Sequence, residues 1–100
     1  MIEIFRCKCL QLFFNTGKKL GIHSAHGNKL GRQLARLDVA KKWEDMNLPG
    51  WGLYPLKDKL KDHYSISVNG NWRMIFKFEG EDVVLVDYQD YHLKNRNNDD

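Results

Sequence analysis

Residues 63–89 read HYSISVNGNWRMIFKFEGEDVVLVDYQ, and this stretch decides the fold. Its apolar, β-branched and aromatic segments are separated by Asn69-Gly70-Asn71 and by Glu79-Gly80-Glu81, which are sequences typical of hairpin turns. The pattern predicts three strands that follow one another along the chain, at about residues 63–68, 72–78 and 82–89.

The residues before this stretch predict two further strands and a short helix. The strands are expected at residues 2–6 and at about 51–56, the second one after Pro49-Gly50. A helix at 8–16 is predicted to end at Gly17, because glycine readily adopts the left-handed conformation that closes a helix.

A second, longer helix is predicted at about 24–40. Its apolar stripe consists of Leu30, Leu34 and Leu37, which recur at three- and four-residue spacing. Its opposite, polar and largely basic face is predicted to hold Lys29, Arg32, Gln33 and Arg36. The order of elements predicts an α+β domain, with two N-terminal helices packed on one face of a mainly antiparallel sheet.

The length and composition indicate a single folded unit. One hundred residues are enough to bury a modest core, and we predict a domain at 1–92 with a polar C-terminal tail at 93–100. The apolar runs are too short to cross a bilayer, and the first residues lack the pattern of a signal peptide. We therefore expect no membrane association and a cytoplasmic location.

The metal-binding residue types are sparse. Cys7 and Cys9 are the two cysteines, and we expect their side chains to point apart and both thiols to stay reduced. His23 and His26 have a spacing compatible with a metal but no third ligand in view, so they are predicted to be exposed residues near a helix start. No metal and no other cofactor are expected.

The charge is distributed unevenly along the chain. Residues 1–78 carry fourteen lysines and arginines against six acidic residues, whereas residues 79–100 carry two against seven. A basic body attracts polyanions such as RNA without any sequence preference. An ordinary solvated surface remains an equally good explanation of the charge taken by itself.

The hairpin registers decide which polar groups share a face of the sheet. A three-residue first turn puts Ser65 and Arg73 on the face opposite the apolar one. A two-residue turn at Gly80-Glu81 would then bring Arg73 to the face of Asp90 and His92. A three-residue turn would reverse that relation, unless a bulge intervenes. The sequence leaves these registers open.

Several polar residues have the types that metal-free RNA cleavage needs. That reaction uses the neighbouring 2′-hydroxyl as nucleophile, a base, an acid, and cations that hold the charge growing on the phosphate. His92 has a reference pKa near neutrality, and Asp90 stands two residues before it. Arg73 offers a permanent, forked charge, and Lys57 a second point charge. Rings that could stack on a base belong to Tyr54 or Tyr91.

Each of these residues also has a structural interpretation. His92 could be an ordinary solvated side chain, and Asp90 could simply end its strand. Arg73 could form a cross-strand ion pair with Asp87. Lys57 and Lys59 alternate with aspartates, as residues of an exposed loop do. The spacing of these residues does not decide between the two interpretations.

Three stretches of the chain resemble the HigB toxins of bacterial toxin–antitoxin pairs, which belong to the RelE/ParE superfamily. They read LYPLK at 53–57, YSISVNGNWR at 64–73 and DYQDYH at 87–92. The segments MIEIF at 1–5, LDVA at 37–40 and EDMNLPG at 44–50 are similar as well.

The resemblance implies a RelE-like, microbial-ribonuclease-like fold and an endoribonuclease that cuts messenger RNA in the ribosomal A site. It implies a HigA-type antitoxin as partner, through which the toxin would be linked indirectly to operator DNA. The catalytic set of the family matches, by position, Lys57, Arg73, Asp90, Tyr91 and His92. Their implied roles are, in that order, phosphate contact, charge stabilisation, proton transfer or orientation, base positioning, and acid–base work.

Two positions depart from the family pattern. The family commonly has a histidine where this chain has Tyr54, and a phenol with a reference pKa near 10 is a poor base at neutral pH. Tyr54 is therefore expected to bind substrate together with Lys59 while His92 and Asp90 carry the proton transfer, or to act as an acid. A reduced activity is the third alternative. Asp58 stands where glycine is frequent and adds negative charge beside Lys57.

The sequence and the resemblance together predict the toxin of a type II toxin–antitoxin pair. Its predicted activity is ribosome-dependent cleavage of messenger RNA by metal-free acid–base chemistry, which would inhibit translation. Two alternatives remain. One is a toxin of the same superfamily that inhibits DNA gyrase without cutting RNA, and the other is a non-catalytic RNA-binding subunit.

Overall fold

The computed structural model describes residues 1–90, so that Tyr91, His92 and the predicted tail at 93–100 lie outside the described residues. Two α-helices precede four strands, in the predicted order. The helices are α1 (Lys8–Thr16) and α2 (Gly27–Val39). The strands are β1 (Tyr54–Pro55), β2 (His63–Asn69), β3 (Trp72–Glu79) and β4 (Asp82–Asp90).

Both helices begin and end close to where the sequence predicts. Gly17 closes α1 with a φ of 79° and donates its N–H to the carbonyl oxygen of Phe13 over 2.8 Å. The segment Ser24–His26 forms a 3₁₀ turn, so that α2 begins three residues later than predicted. The leucines of the predicted stripe are all buried: Leu30, Leu34 and Leu37.

Gln33 corrects the predicted polar face of α2. It is fully buried rather than exposed, and its Nε2 donates a hydrogen bond to the carbonyl oxygen of Ser67 over 2.8 Å. The hydrogen bond satisfies the amide nitrogen, whereas the buried Oε1 has no hydrogen-bond partner within residues 1–90. This contact ties α2 to β2 across 34 positions of sequence.

The core lies between the helices and one face of the sheet. Leu10 of α1 and the leucines of α2 pack in one cluster with the inward residues of the strands, among them Ile66, Met74, Phe76 and Val86. The strands pair in the order β1-β2-β3-β4, and every pair is antiparallel. The predicted α+β architecture, with helices on an antiparallel sheet, is confirmed.

The N-terminal segment pairs with β4, at the edge away from β1. Ile2 bridges Val83 and Phe5 bridges Val86, both in parallel orientation. The backbone N–H groups of Glu3 and Arg6 donate to the carbonyl oxygens of those two valines over 2.7 and 2.8 Å. The predicted strand at 2–6 is therefore extended backbone that adds a short parallel pairing to the sheet.

The two cysteines form a disulfide, which corrects the prediction of two reduced thiols. Cys7 stands directly before α1 with extended backbone, and Cys9 lies in the first turn of that helix. The change from extended to helical backbone leaves their Cα atoms 5.3 Å apart, within the range that a disulfide spans. Side chains that were expected to diverge are therefore close enough to join.

The predicted strand at 51–56 is reduced to the two residues of β1. Gly52, with a φ of 58°, interrupts the extended backbone before it. The segment nevertheless stays attached to β2 on both sides of β1. The carbonyl oxygen of Trp51 accepts from the N–H of Ser67 over 2.6 Å, and the N–H of Leu56 donates to the carbonyl oxygen of His63 over 2.9 Å.

The first hairpin has a two-residue turn and a bulge, not the three-residue turn considered above. Asn69 pairs with Trp72, and the register then shifts so that Ser67 pairs with Arg73. The extra residue, Val68, has the same effect on the following pairs as a three-residue turn would have. The predicted faces are therefore correct, and Ser65 and Ser67 lie on the side of Arg73.

The second hairpin has the two-residue turn, but a bulge again decides the faces. Glu79 pairs with Asp82, and the register shifts between Lys77 and Phe78. As a consequence Arg73 pairs with Gln89, and Asp90 pairs with Trp72. The regular two-residue register, which would have placed Arg73 and Asp90 on one face, is not the one found.

Candidate active site

An open groove of about 430 Å³ lies on the sheet face that is turned away from the helices. Met74 and Phe76 point into the core, so the residues that alternate with them on β3 point to this outer face. Arg73 is one of those residues. The groove is lined by Gly52, Leu53, Tyr54, Ser65 and Arg73.

Hydrogen bonds at Nε and Nη2 hold the guanidinium of Arg73. Its Nε donates to the hydroxyl oxygen of Ser65 over 2.9 Å, and its Nη2 donates to the carbonyl oxygen of Gly52 over 2.6 Å. The side chain is half-buried, with Ser67 opposite it on β2 and Gln89 opposite it on β4. A fixed positive charge therefore stands in the groove, as expected for a phosphate-binding arginine.

Tyr54 lies at the rim of the same groove. It pairs with Ser65 across β1 and β2, which places both side chains on one face of the sheet. Its side chain is 55% exposed. The structure thus brings together Tyr54 and Arg73, an aromatic ring and a cation, in an arrangement suited to one nucleotide with its phosphate.

Lys57 and Lys59 follow on the exposed connection between β1 and β2. Lys57 has extended backbone and stands directly before the 3₁₀ turn Asp58–Leu60, and both lysine side chains are exposed. They do not line the groove itself. Asp58 has a φ of 58°, a conformation that glycine adopts at little cost, and it occupies the position where the resemblance leads one to expect glycine.

Asp90, Tyr91 and His92 close the set of predicted catalytic residues. Asp90 is the last residue of β4, half-buried, and pairs with Trp72. The side chains of the neighbouring residues Trp72 and Arg73 point to opposite faces of the sheet. Because Asp90 pairs with Trp72, it is placed on the face opposite to that of Arg73. Tyr91 and His92 lie outside the described residues.

Two further polar residues, Asp87 and Gln89, lie on the groove face and were not among the predicted site residues. Asp87 is buried and pairs with Ile75, two residues from Arg73 along β3. Its carboxylate accepts from the backbone N–H of Tyr88 over 2.8 Å and from Nε2 of Gln89 over 2.6 Å. The cross-strand ion pair considered for Arg73 and Asp87 is not among the ion pairs found within residues 1–90, and the carboxylate of Asp87 is bonded to Tyr88 and Gln89 instead.

A second polar cluster lies on the helix side of the sheet and corrects another prediction. His26 is 6% exposed rather than solvated, and its Nδ1 lies 2.6 Å from the hydroxyl oxygen of Tyr88. Its ring also packs near Trp72, whereas His23 is exposed as predicted. Within residues 1–90 no group of histidine, cysteine and acidic side chains is arranged to hold a metal ion.

Burial shifts both titrating groups of this pair. Burial, with a smaller effect from the neighbouring His23, lowers the pKa of His26 below 6.5. Burial also raises the pKa of Tyr88 above 10, against an opposing backbone hydrogen bond from His23. Both residues are therefore uncharged at neutral pH, as suits a buried hydrogen-bonded pair.

The protein is expected to lose stability as the pH falls below 6.5. In that range the unfolded chain binds a proton at His26 that the folded chain binds less readily, so protonation favours unfolding until the pH falls below the folded pKa. Urea unfolding between pH 8 and pH 5 measures the effect. His26→Asn keeps an amide near the position of Nδ1 but cannot titrate, and it should flatten the slope. Equal slopes in both proteins would refute the assignment.

Comparison with known families identifies the chain. The family model for HigB-like toxins, described as the RelE-like toxin of type II toxin–antitoxin system HigB, matches residues 3–92. The chain belongs to the HigB-like toxin family. The match spans nearly all of the described residues and also includes Tyr91 and His92. The predicted family resemblance is confirmed.

Two curated HigB proteins support this membership. A protein named Endoribonuclease HigB from Proteus vulgaris is 33% identical over 92 residues, which cover 92% of this chain and 100% of that protein. A protein named Toxin HigB-1 from Vibrio cholerae serotype O1 is 34% identical over 90 residues, which cover 88% of this chain and 94% of that protein.

Membership in a HigB-like family places the chain in a type II toxin–antitoxin system and implies an antitoxin protein as its partner. Among the helices within residues 1–90, none combines the length and the apolar character that crossing a membrane requires. The groove around Arg73 is thus a candidate active site on a HigB-like toxin.

Proposed function

We propose that this HigB-like toxin is an endoribonuclease that cleaves messenger RNA in the ribosomal A site and thereby inhibits translation. The observation that carries the proposal is the groove that holds the fixed charge of Arg73 next to the exposed ring of Tyr54. The name of the Proteus vulgaris relative, Endoribonuclease HigB, whose whole length this chain matches, supports the endoribonuclease activity itself.

The proposed reaction is a transesterification within the RNA followed by release of the downstream fragment. A base removes the proton of the 2′-hydroxyl, whose oxygen attacks the adjacent phosphorus. The bond from phosphorus to the 5′-oxygen breaks, an acid protonates that oxygen, and a 2′,3′-cyclic phosphate remains. Arg73 stabilises the charge that grows on the phosphate oxygens, and Lys57 contributes a second contact.

The proton transfers are assigned to the C-terminal end of the domain. His92 carries the proton near neutral pH, and Asp90 either orients the imidazole of His92 or shares the proton with it. Tyr91 positions the base, while Tyr54 and Lys59 bind the flanking RNA by stacking and by charge. Because the phenol of Tyr54 replaces the common histidine of the family, its role is confined to binding or to donation of a proton.

The proposed partners follow from the same activity. A HigA-type antitoxin would neutralise the toxin and link it indirectly to operator DNA. The ribosome and the message would be its targets in the cytoplasm. We assign all of these contacts to a toxin domain at 1–92 and none to a membrane.

The test uses purified toxin, ribosomes carrying a defined message, and mapping of the RNA ends. We expect truncated message with a 2′,3′-cyclic phosphate end, formed only when ribosomes are present. A matched reaction with the same message free in solution is the control. Binding to ribosomes that leaves the message intact would replace the proposal by the non-catalytic alternative, and DNA damage with intact transcripts in expressing cells would favour gyrase as the target.

A further inference from the structure

The contacts of Arg73 distinguish its guanidinium from an ordinary surface arginine. The group is planar, so a hydrogen bond at Nε and another at Nη2 together define the orientation of the whole plane. The direction of every remaining N–H then follows from that plane. Rotation about the end of the side chain would break at least one of the two contacts.

We propose that Ser65 is a positioning residue that, with the carbonyl of Gly52, orients the guanidinium of Arg73 for the phosphate. This inference rests on the proposed ribonuclease function, which it deepens. Ser65 acts through Arg73 and is not assigned any contact with the RNA. The pair of acceptors on Ser65 and Gly52 is called the arginine clamp below.

The position of Ser65 in the sheet makes its hydroxyl a rigid acceptor. It lies in β2 between Tyr54 of β1 and Ile75 of β3, with pairing on both sides. The residue is 1% exposed, so water has little access to the hydroxyl that accepts from Arg73. A buried hydroxyl in a strand that is paired on both sides has little freedom to move. The guanidinium that is hydrogen-bonded to it is therefore restrained as well.

The second half of the clamp depends on the backbone at Gly52. Gly52 has a φ of 58°, a conformation that side-chain-bearing residues rarely adopt, and its carbonyl oxygen accepts from Nη2 of Arg73. A Cβ atom at this position would lie 3.8 Å from Nη2 of Arg73, an ordinary contact, so the backbone conformation and not the space selects glycine. The neighbouring Trp51 is fixed to β2 by its hydrogen bond with Ser67.

Loss of the serine hydroxyl should therefore slow cleavage without removing any charge. An alanine at position 65 cannot accept from Nε, so the guanidinium loses one of the contacts that fix the orientation of its plane. Misplacing a catalytic group by about 1 Å costs about a hundredfold in rate. We expect Ser65→Ala to lower the single-turnover rate of message cleavage by about tenfold to a hundredfold, with little change in ribosome affinity.

The matched control is Ser67→Ala. Ser67 lies on the same strand and the same face, opposite Arg73, but its hydroxyl is not the one that accepts from Nε. The variant Ser67→Ala should cleave the message at the wild-type rate. Thermal unfolding of both variants shows whether the fold is kept, and a rate loss as large in Ser67→Ala as in Ser65→Ala would overturn the proposal.

A double-variant cycle separates positioning from a merely structural role. In the background of Arg73→Ala, the change Ser65→Ala should have no further effect, because the clamp no longer holds anything. A structural defect would slow cleavage equally in both backgrounds, and that result would also overturn the proposal. If Arg73→Ala itself leaves cleavage unchanged, the proposed site fails, whatever the cycle gives.

A spectroscopic measurement keeps the clamp testable apart from any activity. The Nε–H resonance of Arg73 in a ¹⁵N-labelled protein should be shifted and slow to exchange with water in the wild type and in Ser67→Ala. It should exchange quickly in Ser65→Ala. If the Nε–H of Arg73 exchanges as quickly in the wild type as in Ser65→Ala, the clamp is refuted even if the protein cleaves RNA.

Discussion

Arg73→Ala should lower the single-turnover rate of message cleavage on ribosomes by about 10²–10³-fold, or about 3–4 kcal/mol of transition-state stabilisation. The charge that the variant removes stands in the groove and is held by Ser65 and Gly52, so it needs no reorganisation when negative charge grows on the phosphate. Cells induced to express the variant should continue to grow where the wild type arrests them. The fraction of truncated message against time gives the rate.

Two comparison variants define what the loss means. Arg73→Lys keeps the charge but loses the planar fork, and it should recover only part of the rate. Lys77→Ala removes the same unit of charge from the same face of β3, four residues away and outside the groove lining. If Lys77→Ala slows cleavage as much as Arg73→Ala, net charge and not the geometry of the groove sets the rate, and the assignment of Arg73 fails.

The order of the elements could be predicted because the signals that define them are local. Gly17 ends α1 through its own backbone conformation, and the leucines of α2 repeat with the period of a helix. The turn residues at 69–71 and 79–81 mark two hairpins between apolar segments. Each of these signals extends over a few residues and does not depend on the rest of the fold.

The faces of β4 depend on the core and could not be predicted from the turn. Val83 and Val86 are both fully buried in the core cluster, although their separation of three residues would place them on opposite faces of a regular strand. The bulge opposite Lys77 and Phe78 brings both valines inward. The same bulge shifts the register between β3 and β4 by one residue, so that Arg73 pairs with Gln89 instead of Tyr88.

The buried polar residues were missed for a related reason. Gln33 finds its acceptor on Ser67, 34 positions away, and His26 meets Tyr88, 62 positions away. A histidine or a glutamine is predicted to be exposed from its residue type, unless the distant partner that satisfies it is known. The contacts of Arg73 with Ser65 and Gly52 also join separate segments, so alternation predicted the face of Ser65 but not its role.

The double variant Asp90→Ala with His92→Ala should abolish toxicity. General acid–base groups contribute about 10²–10⁴-fold to the rate, and the two residues are proposed to carry both proton transfers. Incorporation of labelled amino acids after induction should stay at the uninduced level, and the mapped RNA ends should disappear. If Asp90 acts by orienting His92, the double variant should be no slower than His92→Ala by itself, because groups that act as a unit are not additive.

The matched control for that experiment is His23→Ala with Asp82→Ala. It removes the same two side-chain types at exposed positions, His23 beside Trp72 and Asp82 at the start of β4. These residues lie outside the groove lining, so the control should arrest growth as the wild type does. Full toxicity of Asp90→Ala with His92→Ala would mean that neither side chain moves a proton in the reaction. The proton carrier would then have to be sought among the groups around Arg73, beginning with the phenol of Tyr54.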